Sequence, residues 1–336
     1  MINRRKKPIL LLLIISLFGI CSCEHTNNTD IPGEDTDLLR YMPVSCSAYD
    51  GNRTIYTIAE LTLYSIDIES GRITRLVQFS DNTSFLLSVY HMDYSDNMLV
   101  FYASQDIGVY YIEKQTYERI PIQIAPNFLA GVYVARGYAI VVENTGAIPY
   151  RYSLIRLSDR ETVYSSLINY DACPGYAFCS SMNRVFFAPA SSQNSSIHFM
   201  DIDFDNETIT TTGSVSYQGE FKIGNDLTLS PDGSTLISCY GYVFDTNSLL
   251  QVSQLPYSGI LFEYKYANNR IYAICENNIL IFSDKKPYEL LKIKEQTSTE
   301  KGYLRLIIYN NQVFLFYNNP YRCVGIERYP LESFGN

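Results

Sequence analysis

The sequence contains no tryptophan and only three histidines. His25, His91 and His198 lie far apart in the chain, and none sits in a spacing that suits a zinc site or a catalytic dyad. There is no Gly-x-Ser-x-Gly nucleophile elbow and no glycine-rich phosphate loop. From residue 40 onward no window holds the apolar periodicity of a three-turn amphipathic helix. The apolar run from Ile9 to Ile20 is too short to span a bilayer as a stable helix. Cationic residues are also in deficit, with 26 Lys and Arg against 35 Asp and Glu. That balance argues against nucleic acid as a partner, because its affinity rests on neutralised phosphates.

What is present at the N-terminus is a leader. Arg4, Arg5, Lys6 and Lys7 precede the apolar run, the layout of a secretory signal peptide over residues 1–22. Ile20-Cys21-Ser22-Cys23 resembles a bacterial lipobox, in which a small residue precedes the cysteine that is cut free and acylated. The resemblance makes Cys23 the lipid-bearing residue and Cys21 the weaker choice, since bulky Ile20 would precede it. A cleaved signal with incidental cysteines is the alternative. Acylation would hold the chain to a membrane without threading it through one. Residues 23–37 then form a polar, acidic leash. Acidic residues soon after the lipidated cysteine resemble the surface-export signals of Bacteroidota lipoproteins. This implies an outer-membrane lipoprotein facing outward, with a periplasm-facing orientation as the alternative. Removing the leader's four cations brings the net charge to about −13.

The remainder, residues 38–336, is expected to be a single all-β domain. It is rich in Tyr and Phe, of which the whole sequence has 30 and 17, and in β-branched runs bounded by turn residues. An apolar residue followed by a mostly acidic one recurs at Ile66-Asp67, Ile112-Glu113, Ile155-Arg156, Met200-Asp201, Phe244-Asp245, Phe282-Ser283 and Ile326-Glu327. The spacings are 46, 43, 45, 44, 38 and 44 residues, which fit one four-stranded propeller blade per copy. A turn marker precedes each pair, at Asn52, Asn97, Gly137, Asn183, Gly233, Asn269 and Asn311. Asn and Gly suit a tight corner because they tolerate the left-handed backbone region. The expected architecture is a seven-bladed β-propeller, with six or eight blades as alternatives.

The seventh copy breaks off at Pro330, so a strand near Leu38 to Met42 is expected to complete the last blade and close the ring. The first blade's inner strand would follow at Pro43 to Ala48. Ser230 to Thr246, SPDGSTLISCYGYVFDT, resembles the repeat of bacterial quinoprotein-like and YVTN-type propellers, in which a Ser-Pro-Asp-Gly turn precedes a strand pair ending in Asp-Thr. Ile66 to Gly71 matches in part. The Trp-Asp and Gly-His signatures of WD40 repeats are absent. The resemblance implies architecture and carries no functional motif.

Several constellations invite chemistry. The string Asp201-Ile202-Asp203-Phe204-Asp205-Asn206-Glu207 begins like a calcium loop, but Asn206 and Thr212 stand where Gly and the closing Glu belong. Strand alternation, acids outward and Ile202 and Phe204 inward, explains it better. Cys173 and Cys179 flank a Pro-Gly turn and suit either a local disulfide or two thiols. Cys239 and Cys275 sit in neighbouring blades and suit buried small residues. Of Tyr90, Tyr94, Tyr110, Tyr111, Tyr133, Tyr150, Tyr152, Tyr264, Tyr266, Tyr317 and Tyr321, roughly two thirds are assigned to packing. No catalytic, metal or cofactor residue is singled out.

The expected function is a cell-surface, lipid-anchored module that binds or assembles a protein or glycan. Exposed tyrosines on one rim and an apolar channel would favour it. The alternative is a propeller enzyme, a lyase, lactonase or hydrolase. Clustered channel carboxylates, joined by His91 or His198, would favour that reading.

Overall fold

A computed structural model describes residues 44–334, apart from 60–61, 80–90, 104–105, 122–127, 145–148, 170–174, 189–194, 218–221, 225, 276–277, 296–301 and 319–323. Cys23, the leash and the expected closing strand at Leu38 to Met42 lie outside the described residues. The rest is a ring of seven antiparallel sheets, each a meander whose strands pair in chain order.

Blade 1 consists of Val44–Tyr49, Thr54–Ala59, Thr62–Asp67 and Ile73–Gln78. Blade 2 is His91–Ser95, Met98–Ala103, Asp106–Tyr111 and Thr116–Pro121, and blade 3 is Phe128–Ala135, Tyr138–Asn144, Tyr150–Arg156 and Glu161–Ile168. Blade 4 is Gly175–Cys179, Arg184–Ala188, Ser196–Asp203 and Thr208–Ser216. Blade 5 is the short copy, Leu227–Leu229, Thr235–Ser238, Tyr242–Asp245 and Gln251–Gln254. Blade 6 is Glu263–Ala267, Arg270–Cys275, Asn278–Ser283 and Leu290–Glu295. Blade 7 has three described strands, Gly302–Tyr309, Gln312–Asn318 and Val324–Pro330. First strands of neighbouring blades approach one another and so ring the central channel.

Position within a blade explains the residue pattern of each strand. Second and third strands are covered on both faces by adjacent blades, so Thr54–Ala59 and Asn278–Ser283 are nearly continuous apolar runs. Fourth strands lie at the perimeter, and Leu290–Glu295 alternates half-buried and exposed residues. Five of these outer strands carry a register irregularity against the third strand. Such bulges twist an open edge away from pairing with another chain.

The buried core divides into clusters, one at each blade-to-blade interface. The cluster that closes the ring joins Ile307, Phe314 and Phe316 of blade 7 to Ile55, Ala59, Tyr64 and Ile66 of blade 1. Packing between sheets therefore joins the two ends of the propeller. Asn310 Nδ2 also donates to Glu69 Oε1 at 2.8 Å across this seam. Beyond Pro330 a 3-10 helix, Leu331–Phe334, buries Leu331 and Phe334 against blade 6, where Lys294 stands over the Phe334 ring.

One hydrogen bond recurs in every blade. An N–H just past the third strand, or within its last two residues in blade 4, donates to the carbonyl of the corner between first and second strands: Ile68 to Arg53, Ile112 to Asn97, Leu157 to Gly137, Ile202 to Asn183, Thr246 to Ser234, Asp284 to Asn269 and Leu331 to Asn311. This register corrects the sequence markers in two blades. The equivalent of Ile66-Asp67 is Tyr110-Tyr111 in blade 2, because the third strand ends there and Glu113 lies in the turn. It is Tyr329-Pro330 in blade 7, where the strand runs three residues past Glu327 and Pro330 pairs with Gln312. The corner residues Asn97, Gly137, Asn183, Gly233, Asn269 and Asn311 have positive φ as expected, but in blade 1 the residue is Gly51 rather than Asn52.

Candidate functional site

The acidic residues that mark the repeat are structural. Asp67 Oδ1 accepts from Glu69 N, Ser70 N and Ser70 Oγ, and so closes the turn to the fourth strand. Asp245 Oδ1 does the same for Asn247 and Ser248 in blade 5, and Asp232 ties Ser230 and Ser234 in the Ser-Pro-Asp-Gly turn. Asp and Ser occupy these places because a short side chain reaches its own backbone two or three residues on. The face that carries these turns and the first-to-second-strand corners is called the corner face below; the opposite one is the connector face.

The calcium-like string is dispersed among the same devices. Asp201 is paired with Arg184 at 2.5 and 2.9 Å. Asp203 caps its turn through Asp205 N and Asn206 N, and Glu207 binds Arg156 and Tyr138 of blade 3. Ile202 is buried and Phe204 packs on the core, as strand alternation requires.

Other residues singled out in the sequence also find structural places. His91 opens the inner strand of blade 2, while His198 lies on the third strand of blade 4, so the fold does not put both on the channel. His25 and Cys173 fall outside the described residues. Cys179, Cys239 and Cys275 are buried, and Cys239 Sγ donates to Ile223 O at 3.4 Å. Tyr110, Tyr133, Tyr152 and Tyr264 are fully enclosed, and Tyr94, Tyr111, Tyr150, Tyr266 and Tyr317 are half-buried. No described tyrosine is exposed. The expected rim of exposed tyrosines is therefore not found among the described residues, because these rings fill the gaps between blades.

The channel differs from both expectations. Its inner strands carry charged side chains from several blades, clustered toward the connector face: Asp93, Asp226, Glu263, Lys265 and Arg305, with Tyr176 and Ser47. Arg305 Nη2 donates to Ser47 O at 2.5 Å and its Nη1 lies 3.7 Å from Glu263 Oε1. Glu263 also faces Lys265 at 3.3 Å and accepts from Leu306 N. Tyr176 donates to Asp93 across the channel. Burial and the adjacent Asp93 push the Tyr176 phenol well above its ordinary range.

Asp226, just before the first strand of blade 5, stands apart in this cluster. Its carboxylate accepts from Leu227 N at 2.8 Å. Burial pushes its carboxyl up to about 6, with Glu263 adding to the rise while the Leu227 N–H, Arg305 and Lys265 oppose it. It is half protonated near that pH. Among the described residues no group of three or more His, Cys, Asp or Glu is arranged to hold a metal ion. The cluster escaped sequence reasoning because its members come from separate blades. The available signal is a charge inside an otherwise apolar inner strand, as at Arg305 between Leu304 and Leu306.

A second surface feature is apolar. Of the seven large apolar side chains exposed among the described residues, six lie between positions 250 and 293: Leu250, Val252, Ile260, Phe262, Leu291 and Ile293. They occupy the outer strands of blades 5 and 6 and the connector between them. The connector leads to the channel, where Phe262, 54% exposed, directly precedes Glu263.

The chain is a seven-bladed β-propeller. A chain of the solved mitotic checkpoint complex superposes on it with a TM-score of 0.63 at 11% identity, over 95% of this chain and 99% of that one. Kluyveromyces lactis Hsv2 superposes with a TM-score of 0.55 at 10% identity, over 86% and 99%. At such identities the likeness concerns the fold alone. No family model matches the chain, and no curated protein matches it by sequence.

Proposed function

We propose that this propeller is an exported binding and assembly module, held to the outer membrane by lipid on Cys23 and turned toward the cell exterior, that docks a protein partner. The observation that carries the docking is the gathering of Leu250, Val252, Ile260, Phe262, Leu291 and Ile293 on two adjacent blades. Scattered apolar residues are ordinary on a protein surface, whereas a set confined to one sector suits a partner that covers it. The adjoining channel mouth has three carboxylates against two cations, which suits a cationic group on the partner.

Crosslinking on intact cells tests the docking. Phe262→Asp and Leu291→Asp alter exposed side chains and are expected to lower recovery of one and the same partner at least tenfold; undiminished recovery overturns the docking surface. Anchoring is tested by labelling with a palmitate analogue, where Cys23→Ser is expected to lose the label. Protease added to intact cells is expected to digest the propeller, and full protection would favour the periplasmic orientation.

A second reading, a lyase, lactonase or hydrolase with its site in the channel, is favoured by one observation, the raised carboxyl of Asp226 beside Glu263. Such a group is suited to general acid or base work near neutral pH. Turnover of a lactone and ester panel that disappears in Asp226→Asn would support it.

A further inference from the structure

The fourth strands of blades 1 to 6 form the rim of the propeller, and each leaves one sheet edge without a further described strand. Proteins blunt such edges with charge, proline, bulges or brevity. Blades 1, 2, 3 and 6 carry charge there, at Arg75, Glu118 and Arg119, Glu161, and Lys292 and Lys294. Blade 2 adds Pro121, and the outer strand of blade 5 has only four residues. Blade 4 departs from this pattern. Thr208–Ser216 is nine residues long, the longest of the described outer strands, and has neither charge nor proline. Its register irregularity falls near the start, at Thr210, so Thr211 to Ser216 pairs regularly with the third strand.

The hydrogen-bond phase of this strand determines what its edge presents. Tyr217 N donates to Ser195 O at 2.7 Å, one step beyond the pair of Ser196 and Ser216. Alternation then turns the backbone groups of Thr211, Gly213 and Val215 toward the third strand, and the N–H and C=O of Thr212, Ser214 and Ser216 outward. The side chains of these three outward residues are exposed. On the opposite face of the strand the Phe199 ring lies over Gly213, where any Cβ would collide with it, and Val215 is half-buried against the core between blades 4 and 5.

We infer that this edge pairs with the same edge of a second copy of the chain, antiparallel, about a two-fold axis at Ser214. In that register Ser214 faces its own counterpart, and Thr212 of each copy faces Ser216 of the other. The outward groups of all three residues are then used, in backbone hydrogen bonds that run both ways. Val215 of each copy falls opposite Gly213 of the other, in a pair whose side chains approach most closely, and covers the Phe199 ring. Charge selects the second copy as the occupant. Two-fold pairing sets a strand against itself, so Arg75, Glu161 or Lys292 would meet a like charge in the same arrangement, whereas Thr208–Ser216 brings none. Glu207, the nearest acid along the chain, would stand about 45 Å from its counterpart, and Asp201 on the third strand is already paired with Arg184. The pairing goes beyond the docking of a foreign partner and shares no residue with the apolar sector of blades 5 and 6.

A single strand pair buries less than the roughly 1,200 Å² of a stable interface, so a dissociation constant on the order of 0.1 mM is expected. Sedimentation equilibrium tests this on the full mature chain up to about 0.3 mM, with Cys23→Ser so that no lipid is attached. Ser214→Lys is expected to weaken the dimer at least tenfold by setting two ammonium groups opposite each other, and Ser214→Thr to keep it. Because Ser214 is exposed, neither change is expected to move the melting temperature. Oxidation gives a geometric readout. Ser214→Cys is expected to form an intermolecular disulfide, since residues facing each other in a hydrogen-bonded pair have Cα atoms about 5.5 Å apart, within disulfide reach; Arg75→Cys on blade 1 is expected to form none. The inference is overturned if the chain stays monomeric, if Ser214→Lys dimerises as strongly as the unaltered strand, or if Arg75→Cys crosslinks as readily as Ser214→Cys. Association lost in Phe262→Asp but kept in Ser214→Lys would overturn it too, placing the contact between copies on the apolar sector instead.

Discussion

Carboxylates on the corner face and in the channel of this propeller face opposite physical problems. On the corner face Asp67 lies beside Arg53 and caps a turn, Asp201 holds Arg184, and Glu207 holds Arg156. The arrangement recurs because each blade must turn at the same place, and the Asp67 and Glu207 carboxyls are held below their ordinary range there, by Arg53 and Ser70 and by Arg156 and Tyr138. In the channel, Glu263 and Asp226 share one enclosed space with Arg305, and the Asp226 carboxyl is pushed up instead. A charge that repeats with the blade is explained by the blade; one that appears once and resists ionisation is where a ring of similar units becomes specific.

Removing Arg305 breaks this comparison most severely. Arg305→Ala would take the hydrogen bonds from Ser47, across the blade 7 to blade 1 seam, and leave Glu263 with Lys265 as its remaining cation. A half-buried carboxylate that loses a partner is costly. The expected loss is about 2–3 kcal/mol, read as a lower urea midpoint at pH 7. Arg305→Lys is expected to recover part of it, since one ammonium cannot reproduce both Ser47 contacts.

The difference between the two regions also explains what could be read in the sequence. Ile66-Asp67 and Phe244-Asp245 announce their blades because local turn chemistry demands an acid at the strand end. Glu113 and Glu327 imitate that pattern nearby, and only strand pairing reveals that Tyr111 and Pro330 hold the equivalent positions. Tyrosine abundance was ambiguous for a related reason: Tyr133 and Tyr152 satisfy an interblade gap with the same side chain that would serve an exposed rim. Asp93, Asp226 and Arg305 are separated by long stretches of chain, and only ring closure brings them together.

The pH dependence of stability separates the two regions with opposite slopes. Burial raises the Asp67 carboxyl, but hydrogen bonds from Arg53 and Ser70 outweigh it and bring the value down to about 2. An unfolded aspartate titrates at about 3.9. Asp67 therefore contributes stability above about pH 4 that is lost as pH falls toward 2. For Asp226 the folded value is raised, so the folded state binds the proton more tightly, and stability falls as pH rises from about 4 through 6. Asp226→Asn removes that second slope while keeping an acceptor for Leu227 N. It is expected to gain about 1–2 kcal/mol at pH 7 and nothing at pH 4, as measured by thermal unfolding across pH. An equal gain at both values would assign the effect to packing rather than to charge.

The smallest expected effect lies in blade 5, where the corner devices are most self-contained. Asp245 Oδ1 accepts from Asn247 N at 3.1 Å, Ser248 N at 2.8 Å and Ser248 Oγ at 2.8 Å. The Ser248 N–H and hydroxyl, with the other contacts, hold its carboxyl below the ordinary range. Asp245→Ala would leave those donors to water, which reaches them readily at this surface, so the expected loss is only about 0.5–1 kcal/mol. Asp245→Asn keeps an acceptor oxygen and is expected to restore most of it. If Asn behaves like Ala, the negative charge holds the turn; if Asn behaves like Asp, the acceptor geometry does. The second outcome is expected, because Asn occupies the same kind of turn position elsewhere with one neutral oxygen, and urea denaturation of the two variants side by side distinguishes them.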